Sequence, residues 1–232
     1  MTGLRFACTG SRPEPWAAGP SLQLDLRVDD GTGRRVHAVA LRVQIRIDPR
    51  GRRYSAAEKT RLTDLFGDAH RWGGTLTPLQ LATVPVMVPS FSGSTTVAVN
   101  VPLSYDLEVA AGRYLHGLDG GGADAGSASA PPGADAPPDV PLVLLFSGTL
   151  FYAGDTGVQV GLVSWQEEAR HALPVAVWRA AMDEHFPDQG WLRLRRDTLD
   201  RLADYRSAHA VSWDDAVDRL LKEQESTGAG DG

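Results

Sequence analysis

The sequence has few of the residues that build disulfide scaffolds, metal centres or membrane spans. Its only cysteine, Cys8, excludes an internal disulfide and any zinc or iron–sulfur site made of several cysteines. No segment approaches the roughly 18–20 continuous apolar residues that cross a bilayer, and residues 1–15 lack the apolar run of a secretory signal. These absences predict a cytoplasmic protein that does not enter a membrane.

The composition is that of a folded globular protein. Of the 232 residues, 42% are hydrophobic and 22% are charged. The net charge of -6 argues against a nucleic-acid partner, which needs a concentrated basic face. The charge is uneven, because residues 1–116 carry a net +4 and residues 117–232 a net -10.

Period-two alternation of apolar residues predicts an antiparallel sheet in the first half of the chain. We expect a hairpin with one buried and one solvent-exposed face, formed by the segments Leu22–Val28 and Val39–Ile47. Residues 84–88 read as an edge strand or an extended crossing, because Pro85 removes a donor from the ladder. Residues 97–109 keep one parity throughout.

The second half combines a hairpin with helices. Residues 142–152 are apolar on both parities, which indicates a strand covered on both faces and paired with residues 158–162. After this hairpin the chain reads as helical to residue 224, and an earlier helix starts at the capping box Ser55–Glu58 and runs to about residue 71. The fold class is therefore α+β, with an antiparallel sheet of long strands and segregated helices.

One segment interrupts this pattern. Residues 119–139 contain no apolar residue larger than alanine except proline, so they cannot bury enough surface to offset the entropy of ordering. We expect a disordered insertion at 119–139 within a single α+β domain over 1–225, followed by a disordered tail at 226–232. A linker between two domains is the alternative.

No catalytic, cofactor or metal site is predicted. The sequence has neither a glycine-rich phosphate loop nor a Gly-x-Ser-x-Gly nucleophile elbow, and its six histidines are scattered. The nearest approach to a metal motif is Glu168 with His171, at the helical i, i+3 spacing of carboxylate bundles. Those sites need further copies of the motif, and the sequence has one.

Three residues are candidates for binding a partner. Arg42 and Arg46 lie on the polar parity of a strand, where they would either meet an acidic partner or form a solvated sheet face. Trp191 follows Gly190 in a loop, where it would be either an exposed interface anchor or a buried loop anchor. Cys8 reads as a small buried apolar residue of a first strand, with a reactive thiol as the alternative.

Two resemblances suggest a role. The order of elements is similar to that of SecB-type export chaperones, a sheet followed by two helices. The residues that carry it are Phe146–Gly154, Leu173–Val175, His185–Pro187 and Leu192–Leu194, with Asp197 and Leu202. The whole chain also resembles an uncharacterised actinobacterial family whose genes lie near those of nickel–iron hydrogenases. The first resemblance implies C-terminal helices packed on or beside the sheet, and the second implies an accessory role in hydrogenase assembly.

The leading hypothesis is a non-catalytic polypeptide-binding protein, chaperone-like or an assembly accessory factor, that needs no cofactor. Its partner would be a client polypeptide or a hydrogenase subunit, and a homo-oligomer is an open alternative. A second hypothesis is a small-ligand-binding protein or an enzyme whose site joins distant residues, such as His171 with Glu168 or His185 with Glu184. A third is a structural subunit of a larger complex.

Overall fold

The structure is a computed structural model that describes residues 3–104, 109–118, 139–187 and 194–228. Its contacts divide the chain into two compact units, Met1–Trp191 and Leu192–Gly232. The single domain expected over 1–225 stays a prediction. The expected disordered insertion lies outside the described residues, except for Asp139, which begins a strand.

The first unit consists mainly of antiparallel strands. Its strands are β1 (Leu4–Pro13), β2 (Ser21–Asp30), β3 (Arg35–Ile47), β4 (Leu79–Val88), β5 (Phe91–Ser92), β6 (Ser94–Pro102), β7 (Asp139–Gly154), β8 (Gly157–Leu162) and β9 (Glu168–Pro174). Its helices are α1 (Ala56–Arg61), α2 (Thr63–Phe66), α3 (Trp72–Thr75), α4 (Ala110–His116) and α5 (Val175–Asp183). The predicted α+β class is confirmed.

The strands form two sheets in the described residues. Sheet A has the order β1-β2-β6. Sheet B has the order β4-β3-β7-β8, with β9 also pairing with β7 and the short β5 with β3. All of these pairs are antiparallel.

The predicted hairpin between β2 and β3 is wrong. Both strands exist, but β2 pairs with β1 and β6, whereas β3 pairs with β4 and β7. The turn between them carries the chain from one sheet to the other, and the buried carboxylate of Asp30 holds it by accepting a hydrogen bond from Thr32 Oγ1 at 2.7 Å. Alternation predicts a strand but does not identify its partner.

The core lies between the inner faces of the two sheets. Alternate residues of β2 and β3, such as Leu24, Leu26 and Val43, are fully buried. Phe6 of β1 stacks on Phe146 of β7 with ring centroids 4.2 Å apart, and this contact joins sheet A to sheet B. The edge strands also approach each other, β1 beside β9 and β4 beside β6.

The predicted helix over residues 55–71 is broken into short pieces. Its capping box is confirmed, because Ser55 Oγ accepts from the Glu58 amide at 3.1 Å and Glu58 Oε2 accepts from the Ser55 amide at 2.9 Å. Helix α1 nevertheless ends at Arg61, and α2 stops at Gly67, whose φ of 74° suits glycine. The helical spacing of apolar residues therefore predicted a helix here but not its interruptions.

Two further expectations need correction. The parity over residues 97–109 does not give one strand, because β6 ends at Pro102 and Val109 precedes α4, while residues 105–108 lie outside the described residues. The chain also does not become helical after residue 162, because β9 follows and pairs with β7.

The second unit is a pair of helices, α6 (Arg196–His209) and α7 (Trp213–Gly228). Helix α6 ends at Ala210 in a left-handed conformation, and α7 begins at the predicted capping residue, where Ser212 Oγ accepts from the Asp215 amide at 3.0 Å. The backbone is helical as far as Gly228, so α7 includes the first three residues of the expected tail.

Candidate functional site

The outer face of sheet A is polar. Gln23, Asp25 and Arg27 of β2 point outward, and their neighbours on β6 include Thr96 and Asn100. Several of these groups form surface ion pairs, among them a 2.6 Å contact from Arg12 to Asp25 and a 2.8 Å contact from Arg27 to Asp29. This side of the molecule has the character of an ordinary solvated surface.

The outer face of sheet B carries many apolar side chains beside polar and charged ones such as Arg42, Glu168 and Arg170. Residues in register on neighbouring strands point to the same side of a sheet, so Met87, Ala40, Thr149 and Leu162 form one row across four strands. We call this surface the apolar face; its apolar members are Ala38, Ala40, Met87, Val143, Leu145, Phe151, Val158, Val160 and Leu162.

The side chains at one end of the apolar face are strongly exposed. Met87 is 66% exposed, Val160 is 62% exposed and Leu162 is 73% exposed. Trp165, in the loop that joins β8 to β9, is 83% exposed. Large apolar side chains exposed on one face of a sheet are typical of a site of interaction with another molecule.

Strand β7 explains why this face is apolar. Its inward residues, such as Leu144 and Leu150, are fully buried, whereas the outward residues Val143, Leu145 and Phe151 are only half-buried. The sequence predicted a strand covered on both faces. In the described part of the chain that cover is complete on one face only.

Arg42 stands within the apolar face. It is exposed at the middle of β3, between Pro85 of β4 and Ser147 of β7, beside a shallow groove also lined by Met87 and Gly148. Among the described residues no carboxylate forms an ion pair with Arg42. The face of β3 predicted to be solvated is therefore a mixed surface, in which Arg42 and Arg46 lie among apolar and polar groups.

The other two candidate binding residues differ from Arg42. Arg46 lies on the same face but is half-buried, and its Nη2 donates to Gln44 Oε1 at 3.1 Å, so the side chain is held within the sheet. Trp191 lies outside the described residues, and its role as an interface anchor stays a prediction.

The histidines proposed for a scattered site are engaged elsewhere. Glu168 and His171 lie on opposite faces of β9, because an i, i+3 spacing separates faces in a strand. His171 Nε2 is 2.9 Å from Ser11 Oγ of β1, and burial lowers the pKa of His171. This hydrogen bond joins sheet B to sheet A, and sequence reasoning missed it because 160 residues separate the partners.

His185 is also a structural residue in this unit. Its Nε2 lies 3.0 Å from the carbonyl oxygen of Ala17, and its Nδ1 lies 3.3 Å from that of Ala181. Both ring nitrogens thus lie near backbone carbonyl oxygens, and a neutral imidazole donates to one of the two at a time.

A buried polar cluster stabilises the short helices at residues 49–75 and α4. Arg52 Nη2 contacts Glu58 Oε1 at 2.8 Å, and both side chains are nearly inaccessible to solvent. The hydroxyls of Tyr54 and Tyr114 are 2.9 Å apart, and burial raises the pKa of both phenols. These contacts tie α1 to α4, and we assign the cluster a structural role.

The described residues give no evidence of a metal site or of a membrane-spanning helix. Within the described ranges, no group of three or more His, Cys, Asp or Glu side chains is placed to hold a metal ion. None of the helices described by the structure is both long and apolar enough to span a membrane.

Comparison with known proteins identifies a family. No curated protein matches the sequence. Among solved structures, β-glucosidase 3B from Thermotoga neapolitana in complex with α-D-glucose matches 74% of this chain at 13% identity with a TM-score of 0.24. The match covers 17% of that enzyme, so this chain corresponds to a small part of its length. A family model described as a family of unknown function (DUF6084) matches residues 1–125 and 134–229, and the chain therefore belongs to that family.

Proposed function

We propose that the protein is a non-catalytic polypeptide-binding protein that holds its partner against the apolar face of sheet B. The observation that carries this proposal is the exposure of Met87, Val160 and Leu162 on the outer face of sheet B, whereas no large apolar side chain is exposed on the described strands of sheet A. A partner that covered Met87, Val160 and Leu162 would remove much of this apolar surface from water.

The energetics of such a contact are favourable. Complete burial of a large aliphatic side chain stabilises by about 1.5–3 kcal/mol. Met87, Val160 and Leu162 are already about one third buried, so each would contribute roughly 1–2 kcal/mol when covered. Arg42 would add orientation more than affinity, by pairing with a carboxylate of the partner at the centre of the face.

The kind of partner is a further part of the proposal. The resemblance to SecB-type export chaperones favours an unfolded client, and an open apolar sheet face suits extended chains of varied sequence. The resemblance to the family found near nickel–iron hydrogenase genes favours a hydrogenase subunit and an accessory role in assembly. We propose a cytoplasmic location, which suits a chain whose single cysteine forms no internal disulfide.

An aggregation assay tests this function. A chemically denatured model client is diluted with and without the protein, and light scattering measures its aggregation. We expect suppression by the natural chain and a clear loss of suppression in the double variant Met87→Thr and Val160→Thr, which removes apolar character but keeps residues that suit strands. The control is Ala98→Ser, on the polar outer face of sheet A. Equal activity of the double variant and the control would contradict the proposal.

A further inference from the structure

Arg42 carries an uncompensated positive charge on the apolar face. Its side chain forms no hydrogen bond, ion pair or ring contact with any other described residue. Two arginines of sheet A differ, because Arg12 lies 2.6 Å from Asp25 and Arg27 lies 2.8 Å from Asp29. The fold thus neutralises these two charges internally, whereas the described residues supply no carboxylate to Arg42.

The acidic residues in the described strands of sheet B lie away from Arg42. Glu168 is two strands away, about 10 Å across the sheet, and it pairs with Arg170 at 3.4 Å. Asp139 begins β7, about 26 Å along that strand from the residue opposite Arg42. Arg46, about 13 Å from Arg42 along β3, adds a second positive charge on the same face. This part of the face is therefore positively charged.

The charge of Arg42 and the exposed apolar surface adjoin each other. Met87 pairs with Ala40, two residues from Arg42 on the same face, and such diagonal neighbours lie about 7–8 Å apart. Pro85 and Met87 line the shallow groove beside Arg42. A partner that covers Met87 therefore also covers Arg42. Because removing an unpaired guanidinium from water is costly, a partner with a carboxylate at this point is favoured over one without it.

We propose that the apolar face selects extended polypeptide segments in which a large apolar side chain and a carboxylate are two residues apart. This inference rests on the function proposed above. In an extended segment, residues i and i+2 lie on the same side about 7 Å apart, which matches the spacing between Met87 and Arg42. The apolar side chain contacts Met87 and the carboxylate pairs with Arg42. Arg46 favours further acidic residues along the segment.

The selectivity is moderate because Arg42 is exposed. An ion pair at the surface stays partly solvated, and its contribution is correspondingly small. The long apolar stem of Arg42 also allows its guanidinium to stay in water when a neutral segment binds. We expect a preference of roughly two- to five-fold for an acidic over a neutral segment, and a larger one over a basic segment, which Arg42 repels.

Fluorescence anisotropy with three labelled peptides tests the selectivity. The peptides alternate leucine and serine and differ only at one central leucine position, which becomes Glu, Gln or Lys. We expect the natural chain to bind the Glu peptide most tightly and the Lys peptide least tightly. The differences should shrink at high ionic strength, because salt screens exposed charges. Equal dissociation constants for the three peptides at low salt would overturn the inference.

Variants of Arg42 test whether this residue sets the order. Arg42→Gln should bind the Glu and Gln peptides equally, and Arg42→Glu should reverse the order in favour of the Lys peptide. The matched control is Arg5→Gln, which removes an exposed arginine from the outer face of sheet A and should leave the order unchanged. Retention of the preference for the Glu peptide in Arg42→Glu would also overturn the inference.

The same peptides separate this inference from the function on which it rests. Equal binding of the three peptides that is lost in the double variant Met87→Thr and Val160→Thr would overturn the charge selectivity but support the apolar face as the binding surface. Absence of binding by all three peptides would contradict both the selectivity and the proposed function.

Discussion

Gly148 is the glycine on which the apolar face depends most. It lies in β7 where the partner strand changes from β9 to β8, and it sits opposite Leu41 of β3. Its φ is 159°, and a Cβ atom at this position would lie 3.0 Å from Leu41 Cα and closer still to the Ala40 carbonyl oxygen. Because both contacts are with backbone, the neighbouring strand would have to move to accommodate a methyl group.

The substitution Gly148→Ala should therefore destabilise the first unit strongly. A residue with a side chain held at positive φ costs about 1–3 kcal/mol, and forcing a methyl group into a packed region costs a further 1–3 kcal/mol or so. The lower entropy of unfolded alanine offsets about 0.4–1 kcal/mol of this. The net expectation is a loss of about 3 kcal/mol, a large part of the roughly 5–15 kcal/mol of a typical domain.

Urea denaturation followed by circular dichroism measures this loss. Gly73→Ala is the matched control, since Gly73 lies in the short helix α3 and a Cβ there would meet no atom within 4 Å. The control should be neutral or slightly stabilising. If Gly148→Ala lost less than about 1 kcal/mol with an unchanged denaturant slope, the close packing of β7 on β3 described above would be wrong.

Three further predictions concern titratable groups. Tyr54 and Tyr114 should stay neutral in the folded protein well above pH 10, because burial raises the pKa of both. The folded protein should therefore lose stability as the pH rises past about 10, the pKa of tyrosine in an unfolded chain. Phenolate absorbance measures this as late ionisation of two of the five tyrosines. Cys8 should react slowly with maleimide at pH 8 until the protein is unfolded, because burial raises its pKa to about 11; rapid labelling of the folded chain would refute this. Because the pKa of His171 is lowered, the unfolded chain binds more protons than the folded one below about pH 6.5, and stability should fall as the pH drops through that value. The fall should be less steep in His171→Asn. Equal pH dependence of the free energy of unfolding in the two proteins, measured by urea titration, would contradict the lowered pKa.

The strands and their faces were predictable from the sequence, but their partners were not. Alternation around Leu24 and Val43 correctly predicted buried inner faces, since a period of two follows from the geometry of a strand. The assignment of β2 and β3 to different sheets depends on long-range pairing with β6 and β7. The turn sequence Asp29–Gly33 does not reveal this pairing, because the same residues are also compatible with a hairpin between β2 and β3.

Individual features of the candidate site were predictable from the sequence, but their exposure to solvent was not. Arg42 was identified from its position on the outer parity of β3, and the apolar character of both parities of β7 was visible in the sequence. A strand with apolar residues on both parities has the same sequence pattern whether its second face is covered within the fold or left open. Exposure at Met87 and Val160 is a tertiary property, and it decides that this face is a candidate binding surface.

Site-specific photocrosslinking shows which outer face of the molecule contacts a client polypeptide. A photoreactive side chain is placed at Met87 on the apolar face or at Asn100 on the outer face of sheet A, both of which are exposed. Each protein is irradiated with a labelled, permanently unfolded client polypeptide. We expect crosslinking to the client from position 87 and little from position 100. Equal crosslinking from both positions, or crosslinking from position 100 alone, would contradict the assignment of the apolar face as the polypeptide-binding surface.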